Sequence, residues 1–265
     1  FSFISIVSTL AWGIGYFGMP HILVRFMAIE DEKKLTLSRR IASVWVVIAM
    51  TVGIFIGVVG LAMTKAGSLE NLADSETVIV RITGLISRHG VIAALIAGVI
   101  LAGILAATMS TSDSQLLTAA SGVSQNILHD FFHIEMDEKK SLLTARLTIV
   151  AIAVVAVFMA RNPNSSVFGI VSFAWAGFGA AFGAVMLCAL FWKRSTLAGA
   201  ISGMVAGGVM VFVWKYLVRP LGGAFDIYEL LPAFLVSLVV IVVVSFLTQK
   251  PSEEVLAEFD KAAEK

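Results

Sequence analysis

An all-α, polytopic membrane protein of about seven transmembrane helices is the fold class this sequence predicts, on three observations. The 265 residues are 58% hydrophobic and only 14% charged, whereas soluble domains are about half apolar and about a quarter charged. Mean hydropathy is +0.94. Apolar stretches approaching or exceeding the roughly 20 residues a helix needs to cross a bilayer recur seven times, at 1–28, 38–63, 91–128, 141–160, 164–192, 195–218 and 227–249. The net charge of +1 gives no electrostatic footprint for nucleic acid, so the lipid bilayer is the expected surrounding.

The first run is not an ordinary membrane helix. Gly13, Gly15, Gly18 and Pro20 interrupt it; glycine weakens a helix and proline removes an amide donor, so backbone groups here need other partners. In lipid such a break is tolerated only against protein or a water-filled cavity. It reads either as a binding site, where exposed amides and carbonyls meet a substrate's charges, or as a proline-kinked packing helix. Trp12 and Tyr16, four apart, offer an aromatic wall with two hydrogen-bond donors against which an ammonium or iminium group can rest.

The 64–90 connection mixes Leu69, Leu72, Val78, Val80, Ile82, Leu85 and Ile86 with charges and predicts a short amphipathic helix, as a lid over the outer mouth or as a plain loop helix. The third run exceeds a membrane's thickness and turns polar after Ser112, with Asp113, Gln115, Ser121, Gln125 and Asn126, which predicts one long helix. Ala107, Ser110 and Thr111 share one of its faces at i, i+3 and i+4. Hydroxyl and carbonyl oxygens there suit sodium, as at coupling-ion sites, or the hydroxyls bond to their own helix. Asp113 is ionisable close to membrane depth, which is a functional signal, or lies at the cytoplasmic boundary.

The later runs carry small residues at a spacing of four: Ala176, Ala180 and Ala184 with Gly179 and Gly183 in the fifth, and Gly199, Gly203 and Gly207 in the sixth. Close helix packing is their expected role. Cys188 reads as a small core residue. Residues 250–265 read as a charged, partly helical, solvated tail. Basic residues alternate by loop: Arg25, Lys33, Lys34, Arg39, Arg40, Lys139, Lys140, Arg146, Lys193, Arg194 and Lys250, with Lys261 and Lys265, against Lys65, Arg81, Arg88, Arg161, Lys215 and Arg219, about half as many. The positive-inside rule puts the first set, and the C-terminus, in the cytoplasm. The chain opens on Phe1, apolar from its first residue and with no signal-peptide pattern, and reads as cut from something longer.

No catalytic constellation is evident. His21, His89, His129 and His133 are scattered, with only the last pair at i, i+4, and the glycines of AGFGAAFG lack the Lys-Ser/Thr ending of a phosphate loop. An enzyme is not expected, nor a cofactor beyond sodium as a coupling ion.

Three stretches resemble the solute:sodium symporter family: FSFISIVSTLAWGIGYFGMPHILVR, ILAATMSTSDSQLL and VSFAWAGFGAAFG, and the likeness runs along essentially the whole chain. It implies an inverted-repeat, leucine-transporter-type fold, of which residues 1–249 hold the second repeat and two extra helices. It also implies sodium-coupled uptake of proline by alternating access across a bacterial cytoplasmic membrane. Trp12, Tyr16 and Pro20 then line the substrate site, and Ala107, Ser110 and Thr111 the sodium site. Met19 stands where a glutamine is expected before the proline. Competing expectations are another small solute, such as a monocarboxylate or pantothenate, a symporter-like sensory domain, and a purely structural bundle.

Overall fold

The computed structural model describes residues 2–161 and 166–263. Phe1 of the first expected run, residues 164 and 165 of the fifth, and Glu264 and Lys265 of the tail lie outside the described residues. The described residues are helical throughout, with no strand. Six helices are long and apolar enough to cross a membrane, and a bent pair at the start makes seven if it counts as one span. The chain is thus a multi-pass membrane protein by length and composition of its helices. The expected runs match these spans one for one.

Two compact units divide the chain: one comprises the described residues up to Met27 and from Val154 onward, the other Ala28–Ala153. In the first unit, helix α1 (Phe3–Gly15) starts on Ser2, whose Oγ accepts from the Ser5 amide at 3.2 Å, a side-chain cap for an otherwise orphan donor. A 3₁₀ turn (Tyr16–Gly18) and extended Met19 (φ −84°, ψ 112°) lead into α2 (Pro20–Met27). Proline forces the residue before it out of the helical region and suits the first position of a new helix. The two pieces meet at a 50° bend.

The second unit holds α3 (Lys34–Lys65), α4 (Val78–Ile86), α5 (Val91–Ser121) and the first part of α6 (Glu138–Ala160). Helix α4 is the short helix expected in the 64–90 connection, and it packs against α3 and α5. The third run departs from a single α-helix. It is α-helical to Ser121 and π-helical over Gly122–Phe131, where the polar residues thin the apolar face that would hold a regular helix against its neighbours.

The first unit continues with α7 (Val167–Phe178), a π turn (Gly179–Gly183) and α8 (Ala184–Phe191), which together form one span. Helix α9 (Leu197–Val213) extends through a π turn and a short 3₁₀ turn to Leu221, and α10 (Leu230–Leu247) returns antiparallel against it. The small residues lie where the helices touch. A Cβ on Gly203 would overlap Ile241 and stand 3.0 Å from the Ser237 carbonyl, and one on Gly207 would overlap the Ala180 carbonyl. Ser237 Oγ donates to the Gly203 carbonyl at 2.8 Å, a cross-helix bond that backbone contact allows. Cys188 is buried with Ala184, Phe234 and Ile241.

The tail forms α11 (Glu253–Ala263). Lys193, in the turn before α9, pairs with Asp260 and sets its ammonium over the Phe259 ring at 5.9 Å, both side chains of the pair being about half exposed.

Candidate functional site

The interrupted helix crosses the π turn at backbone distance. A Cβ on Gly18 would meet the Phe178 carbonyl and stand 2.8 Å from the Gly183 nitrogen, and one on Gly179 would stand 2.7 Å from the Gly15 Cα. No residue larger than glycine fits this crossing without movement, so Gly15 and Gly18 are packing residues as well as helix breakers. Trp175 Nε1 donates to the Trp12 carbonyl at 3.0 Å, a hydrogen bond to the last turn of α1 from across the bundle. The Trp175 indole lies directly over Gly15, where a Cβ would overlap it.

Trp12 belongs to an aromatic cluster. Its ring is near-parallel to Phe168, Trp175 and Tyr228, with centroids at 5.4, 5.2 and 6.1 Å. Tyr16 stands edge-on to Trp175 at 4.7 Å and is 49% exposed. Trp12, Tyr16 and Pro20 therefore sit on one broken helix, with Tyr16 presenting its ring to the surroundings. Met19 is only 7% exposed, within the apolar core. A thioether fits there without a hydrogen-bond partner, which a glutamine would require.

Two residues of this cluster were not singled out from the sequence as site candidates. Trp175 appeared only within a longer motif. Tyr228 donates its amide to Ser8 Oγ at 2.9 Å and its hydroxyl to the Ser172 carbonyl at 2.6 Å. Burial pushes its phenol well above the ordinary tyrosine range, so it remains a neutral donor. Its neighbour Glu229 is 1% exposed and is held by Arg219 Nη1 at 2.9 Å and Lys215 Nζ at 3.7 Å. The available signal was a run of opposite charges, Lys215, Arg219, Asp226 and Glu229, bracketing a connection between two spans.

Ala107, Ser110 and Thr111 lie in the other unit, on α5, and all three are exposed. Thr111 Oγ1 donates to the Ala107 carbonyl at 3.2 Å, and Ser114 Oγ to the Ser110 carbonyl at 3.0 Å. The bond of a hydroxyl to its own helix is thus made by Thr111. It also brings two oxygens together on one face of α5. Asp113 is exposed, about 33 Å along α5 from Val91 at 1.5 Å per residue, beyond a hydrocarbon core of about 30 Å if Val91 marks its edge. Among the described residues no group of three or more His, Cys, Asp or Glu could hold a metal ion.

A multi-pass apolar chain whose first span is broken at glycine and proline has the character of a membrane transporter, and the chain belongs to the sodium:solute symporter family, whose model matches residues 2–207. Among individual proteins it is similar to the sodium/proline symporter of Staphylococcus aureus, at 39% identity over 270 residues, covering 98% of this chain and 51% of the relative. The sodium/proline symporters of strains JH9 and Newman match at the same identity and coverage. The chain spans about half the length of the curated relatives it matches. No solved structure matches it significantly.

Proposed function

We propose that this chain forms part of a sodium-coupled symporter that takes up proline by alternating access, and that residues 1–249 supply a second inverted repeat and two further helices. The observation that carries the reading is the break in the first span, closed by glycine contacts on one side and leaving Tyr16 open on the other. The end of α1 presents carbonyl dipoles and the start of α2 presents amides, a pairing suited to the ammonium and carboxylate ends of an amino acid. Trp12, Tyr16 and Pro20 are assigned to the solute, with the aromatic rings giving apolar area and cation–π attraction.

Ala107, Ser110 and Thr111 are assigned to sodium, supported by the carbonyl and hydroxyl oxygens 3.2 Å apart on α5. Proline as solute is supported by the similarity to the sodium/proline symporters of Staphylococcus aureus. The Staphylococcus aureus relatives support a bacterial cytoplasmic membrane, and the charge distribution favours the tail, 250–265, in the cytoplasm. Seven crossings, with the bent pair as one, put the two ends of the chain on opposite faces.

The test is proline uptake against sodium concentration in the whole protein. Ser110→Ala and Thr111→Ala each remove an oxygen, and cysteine at either position substitutes a soft sulfur, so all four raise the sodium needed for half-maximal uptake. Because the two ligands are linked, the apparent affinity for proline falls at low sodium and recovers as sodium rises. Trp12→Ala weakens proline binding by about 1–3 kcal/mol with little change in sodium dependence. Wild-type sodium dependence in both alanine variants removes the sodium assignment.

A further inference from the structure

The α9–α10 connection, residues 222–229, lies beyond the span matched by the family model, yet it reaches the interrupted helix directly. Tyr228 is the contact. Its amide donates to Ser8 Oγ on α1 and its hydroxyl to the Ser172 carbonyl on α7, at 2.9 and 2.6 Å. Its ring lies 6.1 Å from that of Trp12, nearly parallel. The residue is 8% exposed, so water does not compete for these bonds.

The next residue explains why Tyr228 is held so firmly. Glu229 is a buried carboxylate, and such a group is strongly unfavourable unless it is paired. Arg219 and Lys215 pair it, and Arg219 Nε also binds Asp226 Oδ1 at 2.9 Å. Lys215 in turn lies 3.9 Å above the Phe173 ring of α7. The connection is thus tied at Asp226 and Glu229, on either side of Tyr228, to Lys215 and Arg219 in the extension of α9.

We infer that Tyr228 is a positioning residue for the interrupted helix, setting where α1 places Trp12 for solute binding; the inference rests on the reading of α1 as the solute helix. Three features carry it: bonds to two different helices, ring contact with the proposed solute residue itself, and anchorage by the cations that pair the buried carboxylate of the adjacent Glu229.

The experiment compares Tyr228→Leu, Tyr228→Phe and Ser8→Ala in the whole protein, with amounts in the membrane measured so that Vmax is expressed per molecule. Tyr228→Leu raises the KM for proline about fivefold or more with Vmax within about twofold, whereas a role in folding alone lowers the amount in the membrane and leaves KM unchanged. Tyr228→Phe keeps the ring and restores KM to within about twofold of wild type, and Ser8→Ala, the mildest change, raises it by about twofold. A second readout needs no transport. Gly13 has open space around it, so Gly13→Cys, with Cys188 and any cysteine outside this chain replaced by alanine, reports the setting of α1 through its labelling rate with a hydrophilic maleimide. Tyr228→Leu changes that rate by about threefold or more and Tyr228→Phe does not.

If the wild type shows no sodium-driven proline uptake but the labelling rate shifts, the symport reading falls and the positioning role stands. Unchanged labelling in both Tyr228→Leu and Ser8→Ala overturns the positioning role. So does a shifted labelling rate with wild-type KM in a protein that transports.

Discussion

Gly15 illustrates how much one missing side chain decides. Trp175 lies over it and donates to the carbonyl of Trp12, three residues earlier, so a methyl group at position 15 drives the indole out of both contacts. Gly15→Ala therefore destabilises the protein by about 1–3 kcal/mol, the usual range for overpacking. Trp175→Phe keeps an aromatic ring but loses the hydrogen bond, at a cost of about 0.5–1.5 kcal/mol. Because both changes break the same bond, the double variant is less damaging than the sum of the two. Gly13→Ala is the control: nothing stands within 4 Å of a Cβ there, so it is neutral or stabilising by up to about 1 kcal/mol. Thermal unfolding in detergent measures all four, and equal effects at positions 13 and 15 would rule out the packing account.

Between elements, the α9–α10 pair shows what the spacing of four accomplishes. Gly199, Gly203 and Gly207 on α9 face Ser245, Ile241 and Ser237 on α10, themselves four apart. The backbones come close enough for Ser237 to reach a carbonyl on the other helix. In a bilayer no hydrophobic force drives helices together, so this packing and the cross-helix bonds are what hold them. Gly203→Leu inserts a side chain where Ile241 already lies, and separates the pair. Gly208→Leu has open space and leaves it intact. Limited proteolysis of the 222–229 connection distinguishes them: faster cutting in the position 203 variant only. The small-residue stripes were readable in advance because packing in lipid imposes a period. Which helix each stripe would face was not, since a period on one helix carries no information about its partner.

At the scale of the whole chain, burial is uneven. The most apolar windows of α7–α8, α9 and α10 are 33%, 22% and 33% buried, against 6%, 6% and 0% for α3, α5 and α6. Ser110 and Thr111 are therefore on a helix that this chain scarcely covers, and three residues on one exposed face cannot complete a shell of oxygen ligands around an ion. The chain also spans about half the length of its relatives. Expressed alone and reconstituted in vesicles, it accumulates no proline, and co-expression with the remainder of the protein restores sodium-driven uptake. Uptake by the isolated chain would place a complete site within these residues.

The sequence by itself determined the class of fold, the seven apolar runs and the broken first span. Each of these is local: bilayer thickness fixes the length of an apolar run, and glycine and proline end a helix wherever they stand. It also marked Trp12, Tyr16, Ser110 and Thr111 as unusual, because polar or helix-breaking residues are costly at membrane depth. Tertiary structure alone decided what closes the break. Trp175 reaches the Trp12 carbonyl across 163 residues and Tyr228 reaches Ser8 across 220, and contacts at such separations leave no periodic trace in the sequence. Burial of Glu229 was hidden for the same reason. A carboxylate beside a span looks solvated until its two cationic partners are brought to it, and the packing of α9 on α10 is what brings them.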